Sequence, residues 1–474
     1  MATRSVETDY LVIGAGAMGM AFTDALIDHA DVHVVLVDRR HAAGGHWHDA
    51  YPFVQLHQAS MFYGVASTVL GTGAIQQRGP EAGLHERARQ SEIVAYYDDI
   101  LHRRFVGSGR VSFLAASAYA SRHGEHVVTS LVSGATTRIA VRRRVVDATY
   151  LSPTVPATTP PPFGVASGAH VVSVGELARL DATPSDYVIV GSGKTATDAI
   201  CWLLVNGVSP DRVVWVRPRD PWMLNRARVQ PDPLVALALA ADTMAAAVDA
   251  TSPDEIFLRL EAAEVLMRVD PGVVPTMAKT PTLGAWELDL LRTVERVVRL
   301  GHIVNVSDRE IVLTHGVVPL EPGSLVVHCA ASGLQYRPIV PVWEPDLIRL
   351  QTIRAGFPCF CAALAGYVEA TRDDDRERNR VCPANTLPDR PGDWLWSQVR
   401  GVEATRSFGA EPDIAAWANA CALNPARIDT SRRNDPDVQI AAARAAEQTQ
   451  RGLDRMTALA VEPAWNRGPT ATHG

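Results

Sequence analysis

Residues 9–38, DYLVIGAGAMGMAFTDALIDHADVHVVLVD, constrain the fold more than any other stretch, because they supply a strand, a glycine turn, a helix and a second strand in succession. Residues 10–13 are an apolar run of strand type, and Gly14, Gly16 and Gly19 follow in G-x-G-x-x-G spacing where the chain must turn into a helix. Gly14 permits the tight turn. Gly16 removes the side chain that would hold a pyrophosphate off the backbone, and Gly19 lets the helix lie close on the strand. A phosphate seated there, beside Ala17 and Met18, would meet free N–H groups and the positive end of the helix dipole. Residues 34–37 make the second strand, and Asp38 at its end, followed by Arg39, can accept hydrogen bonds from an adenosine ribose. The unit predicts a dinucleotide site.

The same unit recurs. Residues 187–190 read as a strand, Gly191-Ser192-Gly193-Lys194-Thr195-Ala196 gives G-x-G-x-x-A, a helix is expected to about Val205, and residues 213–216 give the second strand. Where the first unit ends in Asp38, this one ends in Arg217, with Arg219 close behind. A carboxylate would repel a 2′-phosphate and a guanidinium can bind one through two hydrogen bonds, so the second site is expected to prefer NADP(H). Lys194 and Thr195 do not make a P-loop, which would need glycine at Val188. Lys194 is either a cation beside the pyrophosphate or an exposed lysine.

Between and beyond these units the pattern is coarser. Gly44-Gly45-His46-Trp47 suggests backbone held against a flat ligand with the indole packed on it, or else a surface turn with a half-buried tryptophan. Ser91 is a plausible cap for a helix, and residues 111–146 alternate like strands with turns near His123-Gly124 and Ser133-Gly134. The proline-rich stretch 153–162 is a stiff linker and a domain boundary. Helices are expected over 234–248, from Ser252 onward, over 286–300 and, behind a loop, within 356–370. Strands are expected at 311–313 and 325–327. The insertion 232–269 either roofs a substrate pocket or packs on the sheet. The charges of 371–380 read as a solvated surface, Trp394, Trp396 and Trp417 as packing aromatics, and 436–459 as a polar helix before a frayed tail.

Composition narrows the function. A chain of 474 residues with 47% hydrophobic and 20% charged residues fits two or three globular domains. A net charge of -7 supplies no basic face for nucleic acid. No apolar run approaches the ~20 residues of a membrane span, and the N-terminus enters strand and glycine loop without a signal peptide, so a cytoplasmic protein is expected. Cysteines 201, 329, 359, 361, 382 and 421 contain no C-x-x-C pair, which argues against a disulfide reductase, and they are expected as reduced thiols with no metal site. The patterns G-x-S-x-G and H-E-x-x-H are absent.

Taken together, Gly14-x-Gly16-x-x-Gly19 with Asp38, Gly44-Gly45-x-Trp47 before Tyr51-Pro52, the Ser91-Glu92-Ile93-Val94 helix, Asp147-Ala148-Thr149, Gly191-x-Gly193-x-x-Ala196 with Arg217, and Ala331-Ser332-Gly333 resemble the flavin-containing and Baeyer-Villiger monooxygenase superfamily. Phe163 and Gly168-Ala169-His170 stand, with altered spacing, where that family carries F-x-G-x-x-x-H. The resemblance implies an α/β fold of two Rossmann-like dinucleotide-binding domains, with the FAD domain discontinuous, the NADPH domain inserted, a helical insertion and a C-terminal helical extension. It implies an FAD domain in 1–162 and 324–400, an NADPH domain in 163–323 with its insertion in 232–300, and an extension in 401–474. FAD would lie on Gly14, Gly16, Ala17, Met18, Gly19, Asp38, Arg39, Gly45, His46, Trp47 and His57, and NADPH on Gly191, Gly193, Lys194, Thr195, Arg217 and Arg219. The implied activity is an NADPH-dependent monooxygenase that uses O2 and a C4a-(hydro)peroxyflavin to oxygenate a small organic substrate, with His57, Gln58 and Tyr63 as candidate catalytic donors. A flavin reductase or oxidase, an FAD dehydrogenase and a non-catalytic flavin sensor stay open, as does a homodimer.

Overall fold

The computed structural model describes residues 4–122, 124–331 and 333–466 as a mixed α/β protein with several sheets. His123 of the expected turn, Ser332 and the expected tail beyond 466 lie outside the described residues. Strand β1 (Arg4–Ile13) leads into helix α1 (Ala17–His29) and β2 (Val34–Val37), whose four residues are all buried. Helix α2 (Gln90–Asp99) and β3 (Val111–Leu114) follow, then the hairpin β4 (Ser117–Arg122) and β5 (Glu125–Ser130), and finally β6 (Thr136–Asp147). Short all-apolar runs suit parallel strands covered on both faces. β1 accordingly pairs in parallel with β2 and β6, and β2 with β3.

A second parallel sheet is built from the repeat. In chain order it comprises β7 (Gly164–Val165), β8 (Val171–Ser173), β9 (Tyr187–Val190), α3 (Lys194–Val205) and β10 (Val213–Val216). There follow β11 (Trp222–Asn225), α4 (Pro233–Ala247), α5 (Pro253–Ala262), β12 (Leu266–Arg268), β13 (Thr282–Leu283), α6 (Ala285–Arg292) and β14 (Val297–Val298). A meander of β15 (Ile303–Val306), β16 (Glu310–Leu313) and β17 (Gly316–Pro319), to which β7 adds, precedes β18 (Leu325–His328). The sheet order is β14-β10-β9-β18-β8. The chain then rejoins the first sheet through β19 (Trp343–Glu344) and β20 (Leu347–Arg349), which lies parallel to β6. Outgoing and returning crossings touch, because the Thr154 N–H donates to the Gly333 carbonyl at 2.9 Å.

Helices α7 (Pro358–Thr371), α8 (Asp375–Val381), α9 (Pro391–Gly409), α10 (Pro412–Ala420) and α11 (Pro436–Leu459) complete the chain. Four expectations change. The helix expected over 286–300 stops at Arg292, and Val297 and Val298 pair in parallel with Trp215 and Val216 as an edge strand, where their β-branched side chains fit better. Ser91 lies inside the first turn of α2, and Glu92 caps it by accepting the Arg89 N–H at 2.7 Å. The charged stretch 371–380 is not all solvated: buried Arg378 pairs with Glu369 at 3.2 Å and Asp375 at 2.7 Å. The alanine-rich insertion packs chiefly on the C-terminal helices, around Trp222, Phe257, Trp394 and Met456, while Leu239 reaches the Phe62 cluster.

α7 lies on α1 at Gly366, where a Cβ would collide with the Phe22 carbonyl oxygen and crowd Ala25 Cβ at 3.2 Å. Gly366→Val should therefore lower stability by about 1–3 kcal/mol in a urea titration, the usual penalty for overpacking. Gly409→Ala, where a Cβ meets nothing within 4 Å, should change it by less than about 0.5 kcal/mol.

Candidate nucleotide site between two glycine turns

The first turn is shaped as its residue types demand. Gly14 takes φ +102°, and a Cβ on Gly19 would run into the Gly14 carbonyl oxygen. Helix α1 begins at Gly16 with no side chain capping it, so its first N–H groups are available to an anion. The Gly44 N–H donates to the Ala15 carbonyl at 2.8 Å, and a Cβ on Gly45 would come within 2.9 Å of Gly16 Cα. Two glycines are needed because the backbones of the two loops nearly touch. Asp38 is buried, and its carboxylate accepts the N–H groups of Ala15 at 2.7 Å and Arg40 at 2.8 Å. Arg39 is exposed, whereas Arg40 pairs with Asp49 through Nε at 3.0 Å.

Trp47 is committed to the core. Its Nε1 donates to the Tyr63 hydroxyl at 2.6 Å, and the two rings meet edge to face at 5.8 Å. Tyr63 in turn packs edge-on to Tyr97, and burial pushes its hydroxyl well above the usual tyrosine range. The surface-turn reading of Trp47 is therefore wrong. Tyr63 buttresses the loop as an acceptor. Half-buried His46 tilts onto Trp47, and burial with Arg40 nearby pushes it down to about 4.

The second turn repeats the first. Gly191 takes φ +125°, a Cβ on Gly193 would meet open space, and α3 begins at Gly193 without a side-chain cap. Lys194 is neither exposed nor free: it is buried, ion-paired with Asp198, and 3.3 Å from Glu287. Thr195 is half-buried beside it. Arg217 is 1% exposed, stacks 4.4 Å above the Trp215 ring and lies 3.0 Å from Asp220. Arg219 pairs with Asp389 at 2.9 Å. Phe163 packs edge-on to His328, and His170 is exposed.

Between the turns runs a chain of buried charges that motif reading did not find. Glu81 accepts two hydrogen bonds from Arg87, at 2.9 and 2.8 Å, and one from Trp286 Nε1 at 3.1 Å, and it pairs with Arg226. Arg226 donates to Glu287 at 2.6 Å and to the His57 carbonyl at 2.9 Å. Glu287 leads on to Lys194, Lys194 to Asp198, and the Tyr51 hydroxyl donates to Asp198 at 2.7 Å. Phe53 stacks on Trp202 of α3 at 4.7 Å, so the segment after the first turn is fastened to the second turn by a ring as well as an ion. Arg87, Lys194 and Arg226 balance Glu81, Asp198 and Glu287. The partners are far apart in sequence, and no local spacing announces them.

His57 sits against this chain. Desolvation by the surrounding protein, followed by the nearby cations Lys194, Arg226 and Arg87, pushes its imidazole down to about 3, which favours the neutral form. Gln58 beside it is half-buried. All six cysteines are buried free thiols; burial raises Cys359 to about 12. Among the described residues no helix is long and apolar enough to cross a membrane.

No protein-family profile matches the chain. It is 41% identical over 424 residues to uncharacterised proteins of Mycobacterium tuberculosis and Mycobacterium bovis, covering 89% of this chain and 78% of each relative. Among solved structures it is similar to cyclohexanone monooxygenase with bound epsilon-caprolactone, at a TM-score of 0.51 and 15% identity over 87% of this chain and 98% of that one. It is also similar to polycyclic ketone monooxygenase from the fungus Thermothelomyces thermophila, at a TM-score of 0.51 and 12% identity over 95% of this chain and 90% of that one. The expected likeness to the flavin monooxygenase superfamily is thus present in the fold.

Removing one member of the charge chain leaves its partners buried and unpaired. Arg226→Ala should lower stability by about 3–5 kcal/mol in a denaturant titration. Burial alone would raise Glu287, but Lys194 and Arg226 hold it down at about 2, below its ordinary 4.5. Its contribution to stability should be complete above pH 4.5 and disappear as the pH falls toward 2, and Glu287→Gln should flatten that limb of the acid-unfolding curve.

Proposed function

The chain belongs to one family with those mycobacterial proteins, and from that premise and the two glycine turns we propose that it is an FAD- and NADPH-dependent monooxygenase acting on a small organic substrate. The observation that carries the reading is the pair of helices α1 and α3, each opening on a glycine turn without a side-chain cap, the second also held by the Tyr51 hydroxyl through Asp198. In this reading the sheet of β1 is a Rossmann-like FAD domain, discontinuous in sequence, and the sheet of β9 is the inserted NADPH domain. The fold shared with two ketone monooxygenases supports it.

The residues fit the two groups. Gly16 leaves its backbone clear for a pyrophosphate, Gly14, Gly19 and Gly45 allow the turns that place it there, the first turn of α1 supplies donors at Ala17 and Met18, and Asp38 follows the strand where a ribose would lie. Gly191, Gly193 and Thr195 would do the same for the second nucleotide, with Arg217 at its adenosine end. Bound together, the cofactors would supply hydride transfer and activation of dioxygen.

The chain's own residues prepare the space between them. Trp47 and Tyr63 brace the diglycine turn from behind. Arg226 fixes the His57 carbonyl and so orients the segment running through Gln58. His57, held neutral, can accept or donate one hydrogen bond without adding a charge, and with Gln58 it remains our candidate for contact with the reacting atoms.

The purified protein should be yellow, bleach on anaerobic mixing with NADPH, and consume NADPH faster when a substrate yields an oxygenated product. Peroxide formation without such a product would indicate a reductase or oxidase, and a flavin that does not bleach would end the redox proposal. Gly16→Val should purify folded but colourless, because its Cβ blocks the pyrophosphate. A yellow variant with stoichiometric flavin would contradict the first site.

A further inference from the structure

We infer that Asp220 is a specificity-determining residue of the second nucleotide site, one that weakens its selection for a 2′-phosphate by competing for Arg217. The inference rests on the reading of that site as a nicotinamide nucleotide site and concerns which nucleotide it takes.

Arg217 follows the last residue of β10, where the adenosine end of a nucleotide would lie. A guanidinium that selects a 2′-phosphate must offer uncompensated charge and free N–H groups. Arg217 is fully buried, its plane is fixed against Trp215, and its Nε and Nη1, which have no hydrogen-bond partner among the described residues, are shielded, so a phosphate would have to displace the groups around them. Its charge is opposed as well. Asp220, three residues on and itself buried, places Oδ1 3.0 Å from the Arg217 Nε.

The neighbouring charges extend the balance. Arg299 donates to Asp220 through Nε at 3.0 Å and Nη2 at 3.3 Å, and to Asp270 at 2.7 Å. Arg219, the other expected phosphate cation, donates to Asp389 at 2.9 Å and to the Thr276 carbonyl at 2.8 Å. Arg217 and Arg299 therefore face Asp220, Arg299 also Asp270, and Arg219 faces Asp389, with Lys279 a further cation beside Asp389. A phosphate carrying nearly two negative charges must displace Asp220 from Arg217 and then sit beside a carboxylate. The hydroxyl of an unphosphorylated ribose meets no such opposition. Arg299 moderates the effect, because it shares the Asp220 carboxylate and so loosens its hold on Arg217.

The test is calorimetric titration of the full-length protein with NADPH, NADH and the fragment pair 2′,5′-ADP and 5′-AMP. The wild type should prefer NADPH by less than about tenfold, below the roughly 10- to 100-fold of one uncontested charge-assisted hydrogen bond. Asp220→Asn should raise the NADPH to NADH affinity ratio by about tenfold, and the fragment pair should shift equally, which places the effect at the adenosine end. Arg299→Gln should move the ratio the opposite way, and it carries the test if Asp220→Asn fails to fold. An unchanged ratio in folded Asp220→Asn, or no fall in Arg299→Gln, would overturn the inference while leaving the nucleotide site intact. Failure of the wild type to bind any of the four probes would instead remove the nucleotide reading itself, and this inference with it.

Discussion

A line of buried ions whose charges cancel joins the loop that carries Glu81 and Arg87 to helices α3 and α6. Three cations and three carboxylates, drawn from that loop and from the second unit, alternate so that each charge touches its opposite. Taking such groups out of water is unfavourable by several kcal/mol per ion, and it is offset only when every member is paired. That condition fixes geometry. The register of α6, the start of α3 and the path of the loop through His57 are all specified by one set of bonds, including the Gly284 N–H that donates to Glu287 at 2.6 Å. An apolar interface of equal area would tolerate sliding, whereas alternating charges do not.

How much of this was legible in the chain depends on range. The two strand–turn–helix units were readable because each is written in consecutive residues: Tyr187–Val190, Lys194–Val205 and Val213–Val216 fall where the spacing puts them, and so does the long helix Pro436–Leu459. Val297 and Val298 were misread because a helical pattern ran on past Arg292, and only the neighbouring strand, absent from any local window, makes them an edge. Lys194 illustrates the same limit. Its place in a glycine turn suggested a phosphate partner or an exposed side chain, but Glu287, 93 positions away, decides its environment. Trp47 shows the same limit, since its burial and its hydrogen bond to Tyr63 depend on a partner 16 positions away that the diglycine turn does not announce.

The electrostatics of the two turns differ in a way that composition conceals. Around the first, the acid Asp38 is spent on backbone N–H groups and shapes the loop. Around the second, acids are spent on the arginines that a phosphate would otherwise meet. The overall charge of -7 reports neither arrangement.

The touching crossings at Thr154 and Gly333 have a mechanical consequence. A domain suspended on two separate tethers can swivel about either one, but tethers bonded side by side behave as a single ribbon. The bridge between Thr154 and Gly333 therefore makes the outgoing and returning passages move together, and neither can shift along the other without breaking it.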